Sequence, residues 1–232
     1  MNNISIIPIN NLPEFEPKHD LADELVKSFS SNNFVLEDKD IIVITQKIVS
    51  KVEDRLIKND NESIEKLIQQ ESLEILRKRG DTVIARTKHG FICANAGIDK
   101  SNIEKGSVLL LPEDPDKTSR DIRKKIEHVT NKKISIIISD TFGRAWRKGQ
   151  TNVAIGSSGI QPLESYIGEK DAFDNELFAT EIAIIDELAG AAELVMKKSD
   201  NIPVAIIRGV NYKYSDLGVK ELIRKEDEDF FL

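Results

Sequence analysis

The sequence predicts an α+β, mixed α/β fold in which mixed sheets pack with helices, without a phosphate-loop or Rossmann core. Three observations carry this. Short, β-branched apolar runs of strand length occur at 5–9, 40–45, 82–86, 91–94, 107–111, 134–139, 153–155 and 203–207. Helical patterns lie between them, but not in strict βαβ alternation. Neither Gly-x4-Gly-Lys-Ser/Thr nor Gly-x-Gly-x-x-Gly after a strand is present.

The elements follow in order. Asp20 can cap a helix with Leu21, Leu25 and Phe29 on one face. Ile64, Leu67, Ile68, Ile75 and Leu76 fit a single helix that Gly80 can end. The runs at 82–86 and 91–94 are joined by Lys88-His89-Gly90 and read as a hairpin. Ile122, Ile126 and Val129 stripe a charged helix that starts near Thr118. The longest helical pattern runs from about Ala179 to Lys198. Gly156-Ser157-Ser158-Gly159 reads as a plain turn, and Cys93 as a core residue. The acidic end, Lys225 to Asp229 followed by Phe230-Phe231-Leu232, fits a solvated tail and a docking segment equally well.

Composition narrows the function. The 232 residues carry 33 Lys and Arg against 40 Asp and Glu, for a net charge of −7. A domain-wide basic footprint for nucleic acid is therefore absent. One cysteine and three scattered histidines supply neither a disulfide nor a soft metal cluster, so any metal must be a hard cation on oxygen ligands. No apolar run approaches the ~20 residues that span a bilayer, and a cytoplasmic protein is the expectation.

Candidate chemistry gathers where buried strands end. The 136–139 run leads into Asp140-Thr141, a carboxylate and a hydroxyl that can face a crevice and hold a divalent cation. Arg144, Arg147 and Lys148 follow beside the sole tryptophan, Trp146, a set suited to clamping anions and stacking on a planar ring. Asp99 and Asn102 follow the 91–94 run, as a second carboxylate and a polar contact or as an ordinary turn. Glu113, Asp114 and Asp116 could face a metal or an amine, or simply lead into a helix. Lys47 and Lys51, four apart, can share one helical face and reach phosphate. Leu12-Pro13-Glu14-Phe15 alone reads as a loop.

Taken together, Gln46 to Lys51, Asn95 to Asp99 with Ser101-Asn102, Leu111 to Asp116, Asp140 to Arg144, Val153 to Gly156, Asp186 to Ala189 and Pro203 to Gly209 resemble the coenzyme F-420 gamma-glutamyl ligase family. The resemblance implies a GTP-dependent, GDP-forming ligase that adds L-glutamate to a deazaflavin coenzyme F-420 precursor. It further implies a homodimer, two divalent cations (Mg or Mn) and a dependence on potassium. It implies that 1–232 is one catalytic unit, open to division into two intertwined subdomains, without the C-terminal flavin-type domain of some relatives. Asp99 and Asp140 match the ligands of one metal, and Thr141 a ligand of the second. Leu12, Pro13, Glu14, Phe15, Gln46, Lys47, Lys51 and Asn102 match nucleotide contacts, with Glu14 standing where the family has an apolar residue. Lys47 would also stabilise charge in catalysis, and Arg144 and Arg147, with Trp146, would hold the deazaflavin or the glutamate. The family's acidic residue for the second metal is replaced near Lys197-Lys198-Ser199-Asp200. The expectation is that Lys198 points away and that Asp200 or a backbone carbonyl takes over. A metal-dependent phosphohydrolase and a binder of a phosphorylated flavin-like ligand are the rival readings.

Overall fold

The computed structural model describes residues 3–58, 64–101, 103 and 106–230. In chain order its elements are β1 (Ser5–Pro8), α1 (Leu21–Ser31), β2 (Ile41–Thr45), α2 (Gln46–Val52), β3 (Leu56–Lys58), α3 (Ile64–Glu71), β4 (Ser72–Arg79), β5 (Thr82–Thr87) and β6 (Ile92–Ala94). There follow β7 (Ser107–Leu109), α4 (Pro115–Thr130), β8 (Ser135–Arg144), β9 (Arg147–Ser158), β10 (Glu164–Ser165), β11 (Glu181–Ile182), α5 (Ile184–Met196) and β12 (Val204–Arg208). This is the expected mixture of helices and mixed sheets.

A five-stranded sheet in the order β1-β12-β2-β8-β9 forms the centre. Only β2 and β8 run parallel, and their register brings Thr45 beside Ser139. Ile41 to Ile44, Ile136 to Ile138 and Val204 to Ile207 are almost wholly buried, which explains their unbroken apolar sequence. Asp20 caps α1 as expected, its carboxylate accepting from the Asp23 N–H, while Leu21, Leu25 and Phe29 turn inward. The 82–94 hairpin is also present, with Ala85 opposite Cys93 in the sheet β4-β5-β6.

Several boundaries differ from the sequence reading. The helix expected from Ile64 to Gly80 is only α3; Ser72–Arg79 is strand β4, paired along β5 through two register shifts. Gly80 at φ +58 turns the chain between them rather than ending a helix. Cross-strand pairing overrides the local helical spacing there, and Leu73 and Ile75 stay exposed. α4 begins at Pro115, three residues before Thr118, because Asp114 accepts from the Lys117 N–H and proline suits the first turn. α5 begins at Ile184, since Glu181–Ile182 pairs with Glu164–Ser165 instead. Strand β8 does not end at Ser139 but continues to Arg144, and the 153–155 run is the middle of the twelve-residue β9.

Two motif readings resolve into structure. Gly156-Ser157-Ser158 is strand rather than turn, paired with Ile138, Ile137 and Ile136. A Cβ on Gly156 would lie 2.5 Å from the Pro115 backbone, so glycine there lets α4 seat on β9. Asp114 is the α4 cap, and buried Asp116 accepts from the Ser157 and Val219 N–H groups at 2.9 Å each. Both therefore hold the fold rather than face a metal. No helix among the described residues is long and apolar enough to cross a membrane.

Candidate active site

The parallel pairing ends with Thr45 beside Ser139, so the carboxyl end of β2 lies next to Asp140-Thr141 of β8, in the position where ligands commonly bind in α/β proteins. A cleft of about 830 Å³ opens there. Its lining includes Leu12, Pro13, Glu14, Phe15, Lys47, Lys51, Asp99, Asp140 and Thr141, drawn from well-separated parts of the sequence. The first turn of α2 follows Thr45 directly, which is why Lys47 and Lys51 stand on the cleft side of that helix.

Other expected residues lie elsewhere. Gln46 is fully buried; its side-chain oxygen accepts from Ser50 Oγ at 2.9 Å, and its amide nitrogen has no partner among the described residues. Asn102 lies outside the described residues. Arg144 and Arg147 face each other at the tip of the β8–β9 hairpin, beyond a register shift that separates them from cleft-lining Gly143 and Gln150. Arg144 donates from Nη2 to the Lys148 carbonyl at 2.7 Å, so it closes its own turn, and Trp146 is 87% exposed at φ +63.

One group of cleft residues centres on Asp99 and Asp140. Asp99 pairs with Lys47 Nζ at 3.0 Å and accepts from the Ser101 N–H at 2.7 Å. Burial opposes the charge on Asp99, but these bonds outweigh it and hold the carboxyl below its ordinary range. Asp140 lacks comparable donors among the described residues. Burial pushes its carboxyl up to about 7; the Thr141 N–H draws it back, Asp99 raises it further, and Lys47 and Lys198 act against that. Cys93 also lines the cleft, but burial and the nearby Asp140 push its thiol up to about 12, so it is no nucleophile at neutral pH. Ser139 Oγ is buried beside them with no partner among the described residues.

A second group lies on the far side of Thr141. Thr141 Oγ1 is 2.7 Å from Asn152 Oδ1, and Asn152 Nδ2 donates to Glu193 Oε2 at 2.9 Å. Lys198 enters this group, its ammonium donating to Thr141 Oγ1 at 2.7 Å and pairing with Glu193 at 2.8 Å. The expectation that Lys198 points away is thus overturned. Asp200 does not take its place: it pairs with Lys197 at 3.0 Å and is not among the cleft-lining residues. Asn152 and Glu193 escaped the sequence reading. Asn152 is recognisable only once the hairpin register sets it opposite Thr141, and Glu193 only once α5 packs on β9.

Lys51 reaches across the cleft to an ion pair with Glu14. The lysine and the residue that departs from the family pattern are therefore partners.

The donor chemistry fits one hard cation better than two. Asp99, Asp140 and the Ser139 hydroxyl offer oxygens of the kind Mg or Mn prefers. Among the described residues no group of three or more His, Cys, Asp or Glu converges on a single point. Phosphate oxygens or water must therefore complete any such shell. The oxygens around Thr141 are already engaged by Lys198.

The family described as F420-0:Gamma-glutamyl ligase matches residues 10–209. Over 218 residues the chain is 44% identical to the coenzyme F420:L-glutamate ligase of Methanococcus maripaludis strain C7, covering 86% of this chain and 88% of that protein. It is also 44% identical over 216 residues to the coenzyme F420:L-glutamate ligase of Methanocaldococcus jannaschii, covering 85% and 86%.

Proposed function

The chain belongs to the F420-0:gamma-glutamyl ligase family, and we propose that it joins L-glutamate to the coenzyme F420 precursor at the expense of GTP. The observation that carries this reading is the cleft where β2 ends beside Asp140-Thr141 of β8. It sets four carboxylates (Glu14, Asp99, Asp140 and Glu193) and four lysines (Lys47, Lys51, Lys197 and Lys198) around one space and, among the described residues, offers no activated protein nucleophile. Among the described residues that line it there is no histidine, so a Ser–His or Cys–His pair is not available. Chemistry in such a site has to pass between bound substrates.

Joining a carboxylate to an amine at neutral pH requires a better leaving group than oxide. A precursor carboxylate oxygen attacks the γ-phosphorus of GTP; that P–O bond forms, the bond to the β-phosphate oxygen breaks, and GDP leaves. The glutamate nitrogen, as free amine, then attacks the acyl carbon. The C–N bond forms, the bond to the phosphate oxygen breaks, phosphate departs, and one proton passes to solvent. The barrier is largely the meeting of anions, so positioning and positive charge carry the catalysis. Lys47, already oriented by Asp99 and by Ser101 Oγ at 2.6 Å, stands ready for a phosphate oxygen. Lys51 can do the same once it leaves Glu14. A divalent Mg or Mn ion held by Asp99 and Asp140 would neutralise phosphate charge.

Leu12, Pro13 and Phe15 supply apolar walls for the nucleotide. The cleft volume lies in the upper part of the ~300–1,000 Å³ usual for small-molecule sites, enough for a nucleotide beside a second ligand. The position of Arg144 beside cleft-lining Gly143, with Arg147 opposite it, supports a role for them in holding the deazaflavin or glutamate. Homodimer assembly, potassium dependence and a cytoplasmic setting belong to the same proposal through the family likeness.

The test is incubation with GTP, L-glutamate and the precursor, omitting one at a time. The ligase turns over GTP to GDP, with the glutamylated product, only when all three are present. A phosphohydrolase releases phosphate without glutamate, and a binding protein releases none; either result overturns the reading.

A further inference from the structure

The Lys198 side chain is 59% exposed, yet its ammonium meets oxygens from three elements: Thr141 Oγ1 of β8 at 2.7 Å, Glu193 Oε1 of α5 at 2.8 Å and Asn152 Oδ1 of β9 at 3.2 Å. A hydroxyl, a carboxylate and an amide carbonyl are the donors a hard cation takes. The distances are those of N–H···O bonds, longer than the 2.0–2.6 Å typical of Mg or Ca to oxygen. A plain surface ion pair would need only Glu193. Here Asn152 bridges Thr141 and Glu193 as well, so the oxygens are braced against one another around the cation. Lys197, the neighbouring lysine, turns instead to Asp200. Backbone geometry assists the placement: Lys197 ends α5 at φ +51, which redirects the chain so that Lys198 leaves the helix toward β8.

We infer that the Lys198 ammonium is a built-in cation that takes the place of the second of two divalent ions, so that this chain holds one divalent ion where the family pattern has two. The inference rests on the ligase reading and deepens it. A tethered ammonium beside Thr141 supplies positive charge to the cleft permanently, whatever the free metal concentration. It also accounts for a lysine standing where the resemblance implies an acidic, metal-associated residue.

The experiment counts Mn²⁺ bound to the full chain by loss of the free-ion electron spin resonance signal, with MnCl₂ as the only added ligand. Wild type is expected to bind one ion per chain. Lys198→Glu, which exchanges the ammonium for a fourth oxygen donor group, is expected to bind one more, and adding Thr141→Val is expected to remove the extra ion. Lys198→Ala leaves the three native oxygens uncovered and is expected to gain the same ion at weaker affinity, which keeps the test open should Lys198→Glu not fold. Two ions in wild type, or equal counts in wild type and both variants, would overturn the inference. The first ion in wild type reports on Asp99 and Asp140, whereas a second ion in wild type and the increment in the variants report on Lys198, so the two readings fail separately.

Discussion

Asp40 and Asp140 stand at opposite ends of the same parallel strand pair, and the protein treats the two carboxylates in opposite ways. Asp40, just before β2, is fully buried and receives two bonds from the Arg208 guanidinium at 2.7 Å each, plus the Glu37 N–H at 2.8 Å. Arg208 also lies over the Phe34 ring at 5.1 Å. Asp140, toward the carboxyl end of β8, has no guanidinium partner among the described residues, and burial raises its carboxyl to about 7. One end of the sheet completes its charges and closes. The other leaves a carboxylate short of partners in an open cleft, a costly arrangement that is retained where a ligand supplies what is missing.

Substitutions should separate the two ends. Asp140→Asn is expected to reduce turnover by more than the ~10–100-fold typical of residues that only support a metal ligand, with the fold intact by circular dichroism. The same variant should be more stable than wild type in metal-free buffer at alkaline pH. In the fold Asp140 keeps its proton up to about pH 7, whereas unfolded it loses it near the ordinary value of 3.8. Protonation therefore favours the fold; that stabilisation is complete below about pH 4 and lost as pH rises through 7. Asparagine stays neutral throughout, so its advantage is absent at pH 4 and grows to at most about 4 kcal/mol above pH 8. Denaturant melts at both pH values, in the presence of chelator, check the sign.

Arg208→Ala should do the reverse. It strands Asp40 without its guanidinium and is expected to cost ~3–5 kcal/mol of stability, read from urea midpoints, while Mn²⁺ affinity per folded chain stays unchanged. A smaller effect is expected at the cleft rim. Glu14→Leu frees Lys51 from its exposed ion pair, and because such pairs contribute only ~0–1 kcal/mol, the KM for GTP should fall by no more than about fivefold. A rise in KM would show that Glu14 helps to hold the nucleotide.

The sequence reveals the two ends of the sheet unequally. The unbroken apolar runs of β2 and β8, the Asp20 cap and the short 82–94 hairpin depend on neighbours close in sequence, and each was legible. So was Asp140, because a carboxylate that directly follows a buried apolar run is costly unless a donor or a ligand meets it. Strand β4 was not: its Ile75 and Leu76 keep helical spacing with α3, and only pairing to β5 decides the matter. Asn152 and Glu193 were invisible for the same reason, being brought to Thr141 by hairpin register and helix packing. The direction of Lys198 followed from neither charge nor pattern. Repulsion from a metal argues that a lysine turns away, but three converging oxygens hold it in the site.

The most direct measurement of the ligase chemistry follows oxygen from the precursor. With ¹⁸O in the reacting carboxylate, an acyl-phosphate route carries one labelled oxygen per turnover into inorganic phosphate, which mass spectrometry reads. This transfer is the expected result, dependent on both GTP and L-glutamate and lost in Asp140→Asn. Phosphate that carries no precursor label, and takes its new oxygen from solvent water instead, would contradict it.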